Sequence, residues 1–562
     1  MEKFSEFAYV RPNFVELKSK LKGLLKQFKT ASTFEEAEEV YLAFDSESKK
    51  ISTLSAIASI RHDINTADKF YEQEVMYLNK QVTLLMPLQK KEYKLLLMCK
   101  FRKQFEDKYG KVIFLNAEAD SKLLSLKNIM PTIKEGNLSM QFSKLVASAK
   151  TEFMGKSCNF YGLLKYMQDP DREIRQEALR KWSNLYCSLS PQLDKLYSKL
   201  VQLRTKMAKR LGFSNYTDMA YLMRHRYDYT ANDVKNFRKQ VLNEITPLCQ
   251  KLIEEQRVRL GVDKIHFYDE SLIFADGNAN PIGSTQELLD KTMEIYTALS
   301  PETQEFFKFM RSGELFDLET KPNKHMGGYC ATLPEYLAPF IFSNFNGTGA
   351  DVQVLTHEAG HCFNMYLSMR HNKLLSLVSS TSEVNEIHSM SMEMFTYPYW
   401  DKYFGDKADK ARYAHLVESL YNMTYMCVVD EFQHEVYASP KQTAEQRMAT
   451  WRRIERVYMP WRDYGDNAFL DKGGYWMQKQ HIFLYPFYYI DYALARLGAY
   501  EFYGKSKTDK TVWNDYVNLC RAGGSKTYLD LLSYAHLSSP FAKDSVKKAI
   551  GYLQDDLVAP KE

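Results

Sequence analysis

Residues 357–361 read His-Glu-Ala-Gly-His, which is the H-E-x-x-H pattern of helical metal sites. On an α-helix the side chains at positions i and i+4 lie on one face, so the imidazoles of His357 and His361 can reach one metal ion at about 2 Å. The carboxylate of Glu358 lies beside that ion and can act as a general base. The pentapeptide therefore predicts a helix that carries a hydrolytic metal site.

The residues around the pentapeptide favour a helix as well. Thr348 and Asp351 form a capping pattern before it. Apolar residues recur through it at helical spacing, at Val352, Leu355, Ala359 and Phe363. A second His-Glu pair, at residues 434–435, has no histidine four positions after the first, because residue 438 is alanine. The metal site is therefore expected at residues 357–361.

A catalytic zinc site needs a third protein ligand and one open position for water. Asn364 and Leu367 stand where the metzincin pattern requires glycine and histidine, so that class is excluded. The remaining solution is a glutamate from a following helix, and three are within reach: Glu383, Glu386 and Glu393. Glu386 and Glu393 are seven residues apart and share a helix face, so one can bind the metal while the other supports a ligand imidazole.

Outside this region most of the chain has the periodicity of amphipathic helices, as after Pro12, where the apolar residues are Phe14, Leu17, Leu21, Leu24, Leu25 and Phe28. Glycine and proline concentrate between about residues 310 and 350, with short β-prone segments at 329–332 and 340–342. The expected fold is mainly α, with a small β-sheet immediately before the H-E-x-x-H helix.

Composition excludes several classes of protein. The 562 residues carry 75 basic and 70 acidic side chains, without the basic clustering of nucleic-acid or membrane-surface proteins. Residues 1–12 lack the apolar segment of a signal peptide, and no segment has the apolar length of a membrane span. Eight cysteines without a C-x-x-C pair suit free thiols in a reducing compartment. We therefore expect a soluble cytoplasmic protein that binds neither nucleic acid nor membrane.

The chain resembles the oligoendopeptidase F and thimet oligopeptidase family of zinc metallopeptidases, close to its Pz-peptidase branch. The matching segments are Gly-Gly-Tyr-Cys at 327–330, Phe-Asn-Gly-Thr at 345–348, the H-E-A-G-H pattern, and Asn-Glu-Ile-His-Ser at 385–389. Segments 169–173 and 211–213 are also similar to family segments, and the resemblance extends over about residues 145–555.

The resemblance implies a ligand set for one zinc ion. The third ligand of the family is a glutamate 29 residues after the first histidine, and Glu386 stands 29 residues after His357. The implied ligands are therefore His357, His361 and Glu386, with Glu358 as the base. The family has a second glutamate seven residues after the third ligand, which Glu393 matches. Two imidazoles and a carboxylate suit zinc, although cobalt and manganese stay open.

Candidate donors to the oxyanion of the tetrahedral intermediate lie between His481 and Tyr492. If this segment is helical, Tyr485, Tyr488 or Tyr489, and Tyr492 lie on one face, although an aromatic stripe in a chain with 39 tyrosines is more often core. The resemblance implies that His481 and these tyrosines contact the substrate and the oxyanion. Whether Tyr488 or Tyr489 has the middle role stays open. His415 is expected to be an ordinary surface or core residue.

Gly327, Gly328 and Tyr329 offer a backbone edge for a substrate strand, and a simple turn is the alternative. The resemblance further implies a two-lobed helical body around a deep substrate channel, with an N-terminal helical lobe at 1–200 and a catalytic lobe at 201–562. It implies an endopeptidase that hydrolyses internal bonds of short unfolded oligopeptides, and it leaves the oligomeric state open. Two alternatives are a helical H-E-x-x-H zinc carboxypeptidase and a non-catalytic, metal-stabilised peptide-binding protein.

Overall fold

The computed structural model describes residues 2–560, and within that range the chain forms 24 α-helices and five β-strands. Helices make up 70% of the structure, so the expectation of a mainly α fold is confirmed. None of the helices described has both the length and the apolar character that crossing a membrane requires.

The N-terminal helices are α1 (Phe14–Thr30), α2 (Phe34–Ile64), α3 (Lys69–Thr83), α4 (Met86–Leu97), α5 (Arg102–Tyr109), α6 (Val112–Leu123) and α7 (Ile129–Ala147). The predicted apolar face of α1 packs inward, because Phe14, Leu17, Leu21 and Leu25 are all buried. A hairpin of β1 (Thr151–Phe153) and β2 (Lys156–Cys158) follows α7. Its two turn residues, Met154 and Gly155, both have positive φ, as two-residue hairpin turns of this kind require.

The next helices are α8 (Phe160–Tyr166), α9 (Arg172–Arg210), α10 (Tyr216–Met223), α11 (Ala231–Leu260), α12 (Thr285–Leu299) and α13 (Pro301–Ser312). The expected lobe boundary between Leu200 and Val201 falls inside α9, which continues without a break for 39 residues. Both residues are fully buried. The division of the chain at this position stays a prediction.

The predicted small sheet precedes the H-E-x-x-H helix. It consists of β3 (Phe316–Glu319), β4 (Tyr329–Leu333) and β5 (Ala338–Phe345), in the order β3-β5-β4. β3 is parallel to β5, whereas β4 is antiparallel to it and pairs Tyr329 with Phe342. The central strand β5 is almost entirely buried and leads directly into the helix that carries the motif.

The remaining helices are α14 (Gly349–His371), α15 (Ser382–Phe395), α16 (Asp401–Phe404), α17 (Ala408–Ala438), α18 (Ala444–Tyr458), α19 (Ala468–Asp471), α20 (Gln480–Leu484), α21 (Ile490–Ser506), α22 (Val512–Ala522), α23 (Tyr528–Tyr534) and α24 (Ser545–Gly551). α14 carries the H-E-x-x-H pattern. α15 packs against both α14 and α21.

A glycine inside the motif sets how closely α14 and α15 approach. A Cβ atom at Gly360 would lie 2.6 Å from Ser389 Cα and 2.7 Å from the carbonyl oxygen of His388, closer than real Cβ contacts. Because both of these atoms belong to the backbone of α15, a larger residue would push the helices apart. The glycine therefore brings the glutamates of α15 next to the histidines of α14.

Candidate active site

His357, His361 and Glu386 meet where α14 packs against α15. Glu386 Oε2 lies 3.3 Å from His357 Nε2 and 3.5 Å from His361 Nε2, and one ligand atom of each residue lies within 4.8 Å of the other two. Zinc binds nitrogen and oxygen ligands at about 2.0–2.2 Å, which gives a tetrahedron with edges of about 3.3–3.6 Å. Both distances to Glu386 match such an edge, so this donor set fits a tetrahedral zinc ion.

The ionisation of Glu386 suits a metal ligand. Burial acts to raise the pKa of its carboxyl, but His361 and His357 hold that pKa well below its usual range. The Tyr488 hydroxyl donates a hydrogen bond to Glu386 Oε1 at 2.8 Å. Glu386 is therefore ionised, and its other oxygen, Oε2, is the one that faces the two imidazoles.

Glu358 is buried beside this donor set. Glu358 is 8% exposed, and its Oε2 atom has no hydrogen-bond partner among the residues that the structure describes. Burial raises the pKa of its carboxyl above the usual range. A buried carboxylate oxygen without a partner is costly in a folded protein and is typical of a site that receives a proton or a ligand.

Glu393 binds the His357 ring nitrogen that points away from Glu386. Its Oε1 atom accepts a hydrogen bond from His357 Nδ1 at 2.5 Å, and its Oε2 atom lies 2.8 Å from His415 Nε2 and 3.6 Å from Arg496 Nη1. Burial would raise the pKa of Glu393, but Arg496 and the histidines hold it well below its usual range. An anionic Glu393 keeps the proton of His357 on Nδ1, which leaves Nε2 free to face Glu386.

His415, expected to be an ordinary surface or core residue, is buried and contacts Glu393. It lies on α17, and its imidazole bridges Glu393 and the Tyr397 hydroxyl. No spacing rule connects His415 to the motif, because it comes from a helix that is not adjacent in sequence to α14 or α15. The one indication of this role in the sequence is that His415 is a histidine on a helix face that is expected to be buried.

The segment from His481 to Tyr492 is not a single helix, which corrects the helical arrangement considered from the sequence. α20 ends at Leu484 and α21 begins at Ile490. Pro486 disfavours the helical conformation at Tyr485, which has φ −134° and ψ 66°, and Phe487 adopts a left-handed φ of 60°. The tyrosines of this segment are therefore arranged around a turn.

His481 nevertheless lies among all four of these tyrosines. The distances from its ring centroid are 6.0 Å to Tyr485, 5.7 Å to Tyr488, 4.8 Å to Tyr489 and 6.2 Å to Tyr492. Burial lowers the pKa of His481 to about 3, and the cations Lys479 and Arg224 act in the same direction. His481 is therefore neutral near pH 7 and carries a single N–H donor.

The structure separates Tyr488 from Tyr489. The Tyr488 hydroxyl bonds to Glu386, and its ring packs edge-on against Tyr492 at 5.2 Å. The Tyr489 hydroxyl instead accepts a hydrogen bond from Lys479 Nζ at 3.0 Å. Tyr485 is 53% exposed. Of the two candidates for the middle role, Tyr488 is the one whose hydroxyl contacts the metal-ligand set.

Two arginines hold the turn that carries Tyr488. Arg224 Nε donates to the carbonyl of Pro486 at 3.0 Å, and Arg226 Nη2 donates to the carbonyl of Phe487 at 2.6 Å. Arg226 also forms ion pairs with Asp491 and Glu383. These contacts satisfy carbonyls that a helix would otherwise satisfy. Sequence reasoning missed both arginines, because they precede the turn by more than 250 residues.

Gly327, Gly328 and Tyr329 lie at the start of β4, which is an edge strand of its sheet. Gly327 has a left-handed φ of 99°, and the Tyr329 hydroxyl donates to Asp63 in α2 at 2.7 Å. Cys330 Sγ lies 2.8 Å from Sγ of Cys362, the residue after His361, so β4 contacts the motif helix. An edge strand in this position is compatible with pairing to an extended peptide.

Two family models match the chain: the peptidase M3 N-terminal domain over residues 4–124 and peptidase family M3 over residues 165–550. A curated relative, an oligoendopeptidase F homologue of Borreliella burgdorferi, is 24% identical over 383 residues, which make up 66% of this chain and 62% of the relative. The chain thus matches about three fifths of the length of that relative.

Solved structures are similar over nearly the whole chain. A provisionally assigned oligoendopeptidase F is 40% identical with a TM-score of 0.95, and Pz peptidase A, solved with an inhibitor, is 41% identical with the same TM-score; each alignment covers 99% of both chains. A provisionally assigned oligoendopeptidase F from Bacillus anthracis is 38% identical with a TM-score of 0.90, over 99% of this chain and 98% of the other.

Proposed function

The chain belongs to peptidase family M3, and from this premise we propose that it is a zinc-dependent endopeptidase that cleaves short unfolded oligopeptides. The observation that carries the proposal is the geometry of His357, His361 and Glu386, whose distances of 3.3 and 3.5 Å match the edges of a zinc tetrahedron. Similarity to an oligoendopeptidase F homologue and to Pz peptidase A supports peptide hydrolysis over binding alone.

Proton transfer is assigned to Glu358. His357, His361 and Glu386 would hold the zinc ion, which would supply a Lewis acid for the scissile carbonyl and for the attacking water. Glu358 accepts the proton of the attacking water on its Oε2 atom, which has no hydrogen-bond partner among residues 2–560, and passes that proton to the leaving amine. The raised pKa of the Glu358 carboxyl favours acceptance of the proton, which the group holds until the leaving amine takes it.

Stabilisation of the oxyanion is assigned to Tyr488 and His481. Burial raises the pKa of the Tyr488 hydroxyl, which therefore stays protonated and can donate a hydrogen bond. His481 is neutral and donates one N–H from a ring whose Nδ1 atom has no partner within the described part of the chain. Tyr492 packs against Tyr488 and orients it, whereas the exposed Tyr485 is available to contact the peptide. Donors held in place in this way favour the transition state.

The proposal includes the remaining expectations from the sequence. A two-lobed body with a deep channel would restrict substrates to unfolded peptides, with Gly327, Gly328 and Tyr329 pairing with the peptide backbone. The side chains of His357 and His361 are only 22% and 14% exposed, which supports narrow access to the site. The cytoplasmic location stays a prediction.

Peptides blocked at both ends distinguish the proposed activity from its alternatives. We expect the zinc-loaded protein to cut acetylated, amidated peptides at internal bonds, with both fragments visible by mass spectrometry. A folded protein that contains the same sequence should stay intact. Cleavage of unblocked peptides alone, one residue at a time from the carboxyl end, would indicate a carboxypeptidase. Zinc-dependent binding without any cleavage would indicate a peptide-binding protein.

The Tyr488→Phe substitution tests the choice between the two adjacent tyrosines. We expect kcat to fall by about 10²–10³-fold with little change in KM, because the transition state loses a donor to the oxyanion, whereas the hydrogen bond lost to Glu386 is not a contact with the substrate. Tyr489→Phe is the matched control, since its hydroxyl contacts Lys479, and it should change kcat far less. A larger loss of kcat in Tyr489→Phe would reverse the assignment.

A further inference from the structure

Two residues interrupt the buried surface of helix α17. Between residues 415 and 430 every residue of α17 is buried except Glu418, which is partly exposed, and Asn422, which is exposed. These two residues are four apart and lie on one face of the helix. Their exposure therefore marks a narrow polar strip on a helix that is otherwise part of the core.

This strip faces the metal-ligand set. Gln353, His357 and His361 are spaced four residues apart on α14, and all three are partly exposed on one face. The Gln353 side chain acts on the Glu418 carboxyl and lowers its pKa. His415, three residues before Glu418 on α17, lies 2.8 Å from Glu393, which in turn contacts His357. Side chains one helical turn apart have Cβ atoms about 5–6 Å apart. Glu418 thus lies about one turn of α14 away from the candidate ligand His357.

Glu418 has no cationic partner. Among residues 2–560, no lysine, arginine or histidine acts on its carboxyl, and burial raises its pKa to about 7. Glu431, farther along the same helix, is paired with Arg238 at 3.4 Å. Lys479 contacts the ring of Tyr425, which lies two turns or about 10 Å beyond Glu418 on α17. Among the described residues, the fold therefore leaves a partly buried carboxyl group without a cationic partner beside the candidate active site.

We propose that Glu418, together with the amides of Gln353 and Asn422, forms a subsite for a positively charged group of the peptide substrate. The group is either the α-ammonium at the amino terminus or the side chain of lysine or arginine. An ammonium or guanidinium would form charge-assisted hydrogen bonds with the Glu418 carboxylate, and the two amide oxygens offer further acceptors. This inference rests on the proposed peptidase function and names a substrate preference within it.

The position of the subsite limits where the charge lies in the peptide. An extended peptide spans about 3.3 Å per residue, so one turn of α14 corresponds to about two residues. The charged group should therefore belong to a residue about two positions from the cleaved bond. Neutral peptides lack this contact and should be cleaved less efficiently.

A matched peptide series tests the subsite. Each peptide of the series carries lysine, arginine or norleucine at one position near the cut, with a free or an acetylated amino terminus. We expect the wild-type protein to favour the best cationic peptide over its neutral counterpart by about tenfold or more in kcat/KM, and Glu418→Gln to bring that ratio close to one. If the α-ammonium is the bound group, acetylation removes the preference; if a side chain is, norleucine removes it.

Two further variants keep the test specific. Glu418→Asp retains the charge and should retain part of the preference. Glu92→Gln is the matched control, because Glu92 in α4 is also a partly exposed carboxyl whose pKa burial raises, to about 8, and its substitution should leave the ratio unchanged. An equal loss of activity toward cationic and neutral peptides in Glu418→Gln would overturn the subsite, as would a wild-type ratio near one.

Binding measurements separate this inference from the proposed function. In the Glu358→Gln background, calorimetry should show that adding Glu418→Gln weakens binding of cationic peptides about tenfold and leaves neutral peptides almost unaffected. If the wild-type protein cleaves no peptide, while Glu418→Gln still weakens peptide binding, the peptidase assignment alone is contradicted. Cleavage that is indifferent to Glu418 would contradict the subsite alone.

Discussion

Replacing Glu358 with glutamine is expected to lower kcat/KM for a blocked peptide by about 10²–10⁴-fold while the protein keeps its zinc. Glutamine has nearly the same shape but cannot accept the proton of the attacking water. The metal ligands are unaffected, because Glu358 contributes no atom to the cluster of His357, His361 and Glu386. Hydrolysis of a fluorogenic peptide measures the loss of kcat/KM, and the zinc content of the purified variant measures whether the metal is retained.

The second His-Glu pair of the chain provides the control. Glu435 follows His434 on α17 and forms an ion pair with Arg453 near the surface, so Glu435→Gln should have wild-type activity. If Glu358→Gln turned over peptides at the wild-type rate, Glu358 would not be the base. If the Glu358→Gln protein lost its zinc instead, the role of Glu358 would be to form the metal site.

Replacing Glu386 with glutamine is expected to weaken zinc binding by at least about 100-fold and to abolish detectable hydrolysis at trace zinc. Loss of groups that only support a metal ligand already costs 10–100-fold, and Glu386 offers a ligand atom itself. The substitution also removes the charge that attracts the ion to two imidazoles of one helix. Competition with a chromophoric chelator measures the affinity directly.

Glu383 offers a matched comparison on the same helix, since the sequence alone leaves it open as the third ligand. Its carboxylate pairs with Arg226 and accepts a hydrogen bond from the Tyr229 hydroxyl, away from the histidines. Folded Glu383→Gln protein should therefore bind zinc nearly as tightly as the wild type, although its stability should be lower. Equal zinc affinities in the Glu386 and Glu383 variants would contradict the ligand assignment.

The sequence predicts most reliably those features of the candidate site that depend on helix periodicity. His357 and His361 are one turn apart, so any helix places them together, and the glycine-rich segment before them correctly indicates a sheet. The choice among Glu383, Glu386 and Glu393 needs more than periodicity, because each points to a different neighbour in the structure. Family spacing indicates Glu386, and the packing of α15 against α14 places its carboxylate beside His357 and His361.

Features that depend on distant segments were not predictable from the pattern. Arg224 and Arg226 satisfy the carbonyls of the turn at Pro486, and nothing near residue 486 indicates that these partners are present. His415 and Glu418 lie on a helix whose apolar residues suggest a core element. Their polar contacts become visible only when α17 is packed against the helices of the site.

The arginine contacts also have a consequence for the order in which activity appears as the chain is made. His357 and Glu386 are 29 residues apart, whereas Arg226 must meet Phe487 and Asp491 across about 260 residues. Contacts of such separation carry a large entropic cost of closure and are slow to form. A nascent chain that ends before this turn possesses its metal ligands but lacks Tyr488 and the support beneath it. We therefore expect the proposed cleavage activity to require a chain that extends beyond Asp491.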